Sequence, residues 1–169
     1  LGECNIMKGD VSFWEVYAKG TYTVNDMIAV GGNLYYTPSF LNSGAPGTYA
    51  SATAKFTGPA MANGLGWYVS GEFGRQWLGT SDAFYGNIDF ADYNTWNIGL
   101  GLTYKVFTLD LRYTGTDLSK ANCNAFTSDH TANFSGDFSP INGSGVGSKW
   151  CGDAFTVKLS VDSTLSALK

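Results

Sequence analysis

The sequence predicts an all-β fold, an antiparallel transmembrane β-barrel, on three observations. Apolar and polar residues alternate in runs of about ten. The polar positions are mostly Thr, Ser, Gly, Asn and Tyr, where a water-facing sheet would carry many Lys and Glu. The connections between runs are short and long in turn, as periplasmic turns and outer loops are. At 169 residues the chain suits a single domain over 1–169, and 22 glycines with 15% aromatics suit β structure. Charged residues make up only 14%, well below the roughly 25% of a soluble domain. No run approaches the ~20 apolar residues that a spanning helix needs.

About seven strands follow. The first, near 13–23, sets Trp14, Val16, Ala18, Gly20 and Tyr22 against Glu15, Tyr17, Lys19 and Thr21. The second, near 28–38, sets Ile28, Val30, Gly32, Leu34 and Tyr36 against Ala29, Gly31, Asn33, Tyr35 and Thr37. The third, near 49–58, opposes Ala50, Ala52, Ala54 and Phe56 to Ser51, Thr53, Lys55 and Thr57. The fourth, near 66–77, opposes Trp67, Val69, Gly71 and Phe73 to Tyr68, Ser70, Glu72 and Gln76. The fifth and sixth make the clearest hairpin: Trp96 to Tyr104 enters a two-residue turn at Lys105-Val106, and Phe107 to Tyr113 returns on the same face. That register sets Arg112 opposite Gly99 and Asp110 opposite Gly101, small partners that leave both charges room to project. The seventh carries Phe155, Val157, Leu159 and Val161. Helical periodicity is absent throughout.

Alternation alone does not say which face is inside, because a lipocalin-like barrel alternates with its apolar face inward. Trp14, Tyr22, Tyr36, Trp67, Trp77, Trp96, Tyr104 and Tyr113 sit near strand ends on the apolar side, as interfacial girdles do. Short connections at 24–27, 59–65 and 105–106 alternate with long ones at 39–48, 78–92 and 119–152. The first strand then runs away from the outer surface and leaves 1–12 outside. Outer-membrane barrels begin in the periplasm with an even strand number, so an odd number of strands is expected upstream.

A net charge of -4 without Lys or Arg clusters excludes nucleic acid as a partner. Three cysteines with no CxxC spacing, and a single histidine, His130, supply no usual zinc set; no cofactor is expected. Cys123 and Cys151 lie at the ends of one long polar loop and are expected to form a disulfide in an oxidising compartment. That leaves Cys4 without a partner.

Several segments resemble one family: Trp14-Glu15-Val16-Tyr17-Ala18, Gly32-Asn33-Leu34-Tyr35-Tyr36-Thr37-Pro38, Gly71-Glu72-Phe73-Gly74-Arg75-Gln76-Trp77, Asp92-Tyr93-Asn94-Thr95-Trp96-Asn97-Ile98-Gly99, Leu109-Asp110-Leu111-Arg112-Tyr113, Thr116-Asp117-Leu118-Ser119-Lys120 and Trp150-Cys151-Gly152-Asp153. Together they are similar to the C-terminal part of the TorF-like porins, outer-membrane proteins of the Gcw type. The resemblance implies a barrel of about twelve strands, about five of them upstream, and a bacterial outer-membrane address with lipid and lipopolysaccharide around it. It names no solute. The ending Ser166-Ala167-Leu168-Lys169 departs from the aromatic terminus such barrels usually have.

The expected function is a porin-like channel for passive diffusion of small hydrophilic solutes or ions, alone, as a homo-oligomer or with other envelope proteins. Its alternative is a structural or adhesive barrel with an occluded lumen. Lumen-facing charges by parity are Glu15, Lys19, Lys55, Glu72, Asp110, Arg112, Lys158 and Asp162, the first seven being the pore-lining candidates. They form either a constriction with a transverse field or a salt-bridged plug. Arg75 falls on the apolar side near the outer rim, where it either contacts lipopolysaccharide phosphate, the favoured reading, or is turned inward by a bulge. The loop acids Asp82, Asp89, Asp92, Asp117, Asp129, Asp137 and Asp153 have no EF-hand spacing and are expected to be solvated. His130 beside Ser128 or Ser135 is the one catalytic candidate. It has no GxSxG elbow and no orienting carboxylate, so no enzymatic activity is expected.

Overall fold

The structure, a computed structural model, describes residues 9–127 and 129–162. Cys4, Ser128 and residues 163–169 lie outside them. Seven strands form one antiparallel sheet: β1 Val16–Thr23, β2 Ile28–Thr37, β3 Gly47–Thr57, β4 Gly66–Leu78, β5 Tyr93–Tyr104, β6 Phe107–Thr116 and, after a long excursion, β9 Ala154–Val161. Each strand pairs with the next in sequence, in the order β1-β2-β3-β4-β5-β6-β9. The excursion holds helix α1, Lys120–Thr127, and a small hairpin of β7 Asn133–Phe134 and β8 Val146–Gly147. Among the described residues no ladder joins β1 to β9, so the described sheet is open at both edges.

The strands form where alternation places them, and their ends move for identifiable reasons. β1 starts at Val16 because its ladder begins at Val16↔Tyr36 and β2 ends one residue later; Glu15 therefore precedes the strand. β5 and β6 run three residues further than periodicity indicates, since the Asp117 carboxylate accepts from the Asn94 amide (2.6 Å) and its side chain (2.5 Å) and holds the ladder's end together. The β5–β6 turn lies at Lys105-Val106, with Lys105 in the left-handed region (φ 54°) as a tight two-residue turn requires.

The apolar face of the sheet is the exposed one. Along β2 exposure alternates residue by residue, with Ile28, Val30, Leu34 and Tyr36 out and Ala29, Gly31, Asn33 and Tyr35 half-covered. Phe73, Ile98, Phe155 and Leu159 are 58–67% exposed. The polar face is the concave one, as hydrogen bonds that skip a strand show. Tyr49 on β3 reaches Thr95 on β5 (2.9 Å), and Tyr68 on β4 reaches Asp110 on β6 (2.8 Å). Neighbouring strands are ~4.8 Å apart, so side chains two strands apart meet only where the sheet curls toward them.

The buried apolar residues all lie in the loops at one end: Ala45, Tyr85, Phe90, Ala121, Cys123 and Ala125. All three long connections come to that end and all three short ones to the other. Phe126 of α1 packs edge-on against Phe40 of the β2–β3 loop (5.7 Å) and Phe90 of the β4–β5 loop (5.3 Å), and Tyr85 meets Phe90. Backbone bonds join the same loops, from the Asp82 amide to the Ser43 carbonyl (2.8 Å) and from the Gly79 amide to the Pro46 carbonyl (2.8 Å). These loops form a folded cap on the long-loop end.

Helix α1 overturns the expectation that helices are absent. Ser119 starts it, its carbonyl accepting from Cys123 N–H (2.9 Å) and its hydroxyl from Asn122 N–H (3.2 Å), while Asp137 accepts from Ala121 N–H (3.1 Å). The disulfide Cys123–Cys151 is present and ties α1 to the chain just before β9.

Candidate functional site

The concave face gathers three of the expected pore-lining residues into one network. Arg112 on β6 donates to both carboxylate oxygens of Asp110 (3.1 Å each), to the Ser70 hydroxyl of β4 (2.9 Å) and to the Asn97 side chain of β5. Glu72 on β4 accepts from Tyr49 (3.3 Å), Asn97 (3.4 Å) and, at the limit of a hydrogen bond, Asn33 (3.5 Å). Asn33, Tyr49, Ser70, Thr95 and Asn97 complete the site. Asn33 and Ser70 fall on the expected polar face, but none of the five stands out as a pore-lining candidate because neutral polar residues carry no charge signal.

Lys19 and Lys55 join through aromatic faces. The Lys19 ammonium lies 5.2 and 5.0 Å from the Tyr17 and Tyr35 ring centres, and Lys55 lies 4.4 Å from that of Tyr68. Tyr17, Tyr35 and Tyr49 sit side by side across β1, β2 and β3 with centroids 5.7 and 5.9 Å apart. Lys158 stands opposite Asp110 on the exposed edge strand β9. Glu15 and Asp162 fall just outside the strands and outside the network.

Charge on this face is unequally compensated. Asp110 and Arg112 form an ion pair (3.1 Å). Glu72, Lys19 and Lys55 have no ion-pair partner among the described residues, their contacts being neutral donors and rings. A cavity of ≈ 450 Å³ opens between Thr21, Lys55, Glu72, Asn97 and Arg112.

Glycines make room for the long side chains. Arg112 lies over Gly99, where an added Cβ would fall 2.8 Å from the guanidinium carbon. Gly101, expected to make room for Asp110, lies instead under the Tyr68 ring, 2.0 Å from where its Cβ would be. Asp110 faces Gly101 in register but leans toward Arg112 and receives the Tyr68 hydroxyl. Gly74 serves Tyr49 in the same way (2.2 Å).

Outside the concave face, Arg75 does lie on the apolar side, and its guanidinium pairs with Asp92 (3.2 Å) and reaches Asn94 (3.4 Å). Of the loop acids expected to be solvated, Asp89, Asp92, Asp117 and Asp153 are exposed and Asp129 is buried, and several also accept hydrogen bonds that shape the loops. Asp92 accepts from Leu78 N–H, Asp82 from Phe84 N–H, and Asp129 from Thr131 and the buried Ser148. His130 meets the Trp150 ring edge-on (6.0 Å), and the Ser135 hydroxyl donates to the Gly145 carbonyl (3.3 Å). No group of three or more His, Cys, Asp or Glu that could hold a metal occurs among the described residues. A groove of ≈ 620 Å³ lies among Ile28, Ala52, Phe56, Phe73 and Ile98 and is bordered also by Thr53, Lys55, Ser70, Glu72 and Asn97.

No family model, curated protein or solved structure matches this chain.

Proposed function

We propose that this chain forms the wall of a bacterial outer-membrane β-barrel through which small hydrophilic solutes or ions diffuse passively, as its resemblance to TorF-like porins implies. The observation that carries the reading is the inversion of the sheet. Large apolar side chains are exposed on the convex face, and a charged, hydrogen-bonded network lines the concave one. In water that convex face would be a liability far beyond the few hundred Å² a soluble surface tolerates; against lipid it is the stable arrangement. β2 to β6 are 10–13 residues long, enough for the ~9–11 that cross a bilayer at a tilt. Further strands beyond those described would close the wall between β1 and β9.

Uncompensated Glu72 facing Lys19 and Lys55 favours a lumen that acts on charge, since opposed fixed charges set up a transverse field across a narrow passage. The loop cap favours a second reading, a structural or adhesive barrel whose mouth is closed. Single-channel recording of the full-length protein in a planar bilayer decides between them. Discrete conductance steps support the channel; a folded, inserted barrel without current supports the occluded one.

A further inference from the structure

Two cations and two aromatic rings converge in the cap, away from the lumen. A cavity of ≈ 420 Å³ is lined by Lys120, Lys149, Phe134, Trp150, Asn133 and Asp129, among others, within the ~300–1,000 Å³ of small-molecule sites. Trp150 is 56% exposed and Phe134 74%, so most of each ring stays uncovered despite its contact with His130 or Phe138. Neither lysine has an ion-pair partner among the described residues. Asp129, the one carboxylate in the lining, is taken up by Thr131 and by Ser148, whose hydroxyl donates at 2.7 Å.

The backbone beneath these side chains is held in place before any ligand arrives. The Ser148 amide donates to the Lys120 carbonyl (2.9 Å) and so fixes Lys149 beside Lys120. Trp150 is held by its amide to the Ser148 hydroxyl (3.1 Å), by the His130 ring, and by its neighbour Cys151, which is bonded to Cys123. A backbone already fixed loses little further freedom on binding.

We propose that this cavity binds a single carboxylated sugar, its carboxylate between Lys120 and Lys149, its C–H face against Trp150 or Phe134, and a hydroxyl at the Asn133 side chain. Two ammonium groups suit a carboxylate as point charges, and the aromatic walls would be left unused by an inorganic anion. Asparagine and the ring faces serve the neutral part of the ligand. This site is independent of conduction through the lumen.

Isothermal titration of the full-length protein in detergent micelles tests it, with sodium glucuronate as ligand and glucose and inorganic phosphate as comparators. Glucuronate should bind at least about tenfold more tightly than either comparator. The pair Lys120→Gln and Lys149→Gln should weaken it about tenfold or more, Lys120→Arg with Lys149→Arg should retain it, and Trp150→Ala should weaken it with both lysines in place. Equal binding of glucose or phosphate, no heat with glucuronate, or glucuronate binding unmoved by the Gln pair would overturn the proposal. The titration needs no current, so a barrel that conducts nothing still answers it.

Discussion

Arg112→Met removes the most connected side chain of the concave face. Its guanidinium holds four hydrogen bonds, two of them to Asp110, and the two side chains are 27% and 16% exposed. Breaking a fully buried pair costs about 3–5 kcal/mol because the orphaned charge stays buried. Here partial exposure lets water reach Asp110, which also keeps the Tyr68 hydroxyl, so the loss should be about 2–3 kcal/mol. Asp110→Asn alone should cost about 1–2 kcal/mol, and the double variant should cost less than the sum by about 1–2 kcal/mol, since no carboxylate is then left unpaired. Urea titration of protein refolded into detergent or vesicles, followed by tryptophan emission, measures all three. Additivity within about 0.3 kcal/mol would refute the coupling and with it the concave network as a stabilising unit. The same geometry makes Arg112→Glu a poor probe of ion selectivity, because it sets a second carboxylate against Asp110 and disturbs the wall as well as the charge.

Selectivity is better tested at Lys55→Glu, which changes the charge of the proposed lumen by two units while removing only the Tyr68 ring contact of about 0.5–1 kcal/mol; reversal potentials under a salt gradient should move toward cations, and an unchanged value counts against a charge-filtering lumen. Face orientation is tested by Leu100→Arg, expected to cost about 2–4 kcal/mol against lipid, beside Thr21→Arg on the polar face, expected to cost under about 1 kcal/mol; the reverse order in refolding titrations would mean an apolar-filled barrel. Replacing both Cys123 and Cys151 by Ser should loosen the cap by roughly 3–4 kcal/mol on the loop-closure estimate, read as faster amide exchange over α1 with the strands unchanged. Asp129 gives the cap a pH dependence. Burial opposes its ionisation, but hydrogen bonds from Thr131 and Ser148 and the nearby His130 outweigh it and hold its carboxyl below the ordinary value of 3.8. Its contribution is therefore present above about pH 4 and lost as pH falls through the depressed value. Asp129→Asn should remove that acid-side step from the Trp150 emission, and persistence of the step would assign it elsewhere.

The sheet was legible in the sequence because apolar and polar residues alternate along its strands, and along β2 one face is exposed and the other half-covered. The β5–β6 register was legible because a two-residue turn leaves no freedom: Arg112 opposite Gly99 followed from Lys105-Val106 alone. The occupant of Gly101 was not, since Tyr68 comes from β4 and reaches across only because the sheet curls. The cap escaped for a related reason. Phe40, Phe90 and Phe126 are isolated in polar loops, and only tertiary folding brings them together. Helix α1 is eight residues long and rests on packing more than on propensity; Ser119 three residues before Asn122 was its one local signal, an N-cap placed where no periodic run drew attention.

The two ends of the sheet differ in a way that bears on delivery. One end carries a cross-linked, aromatic-centred cap with buried polar groups such as Asn142 and Ser148, each about 1% exposed. The other carries only tight turns, the β5–β6 one being just Lys105 and Val106. Dragging the capped end through hydrocarbon would mean unfolding it or desolvating all its polar groups, whereas a tight turn presents few. If the sheet inserts from the periplasm, as the proposed outer-membrane reading requires, a chain arriving with the cap leading would stall. On the proposed reading the long segments would cross before they fold and the disulfide would close afterwards, so premature oxidation of Cys123 and Cys151 should trap the protein short of the bilayer.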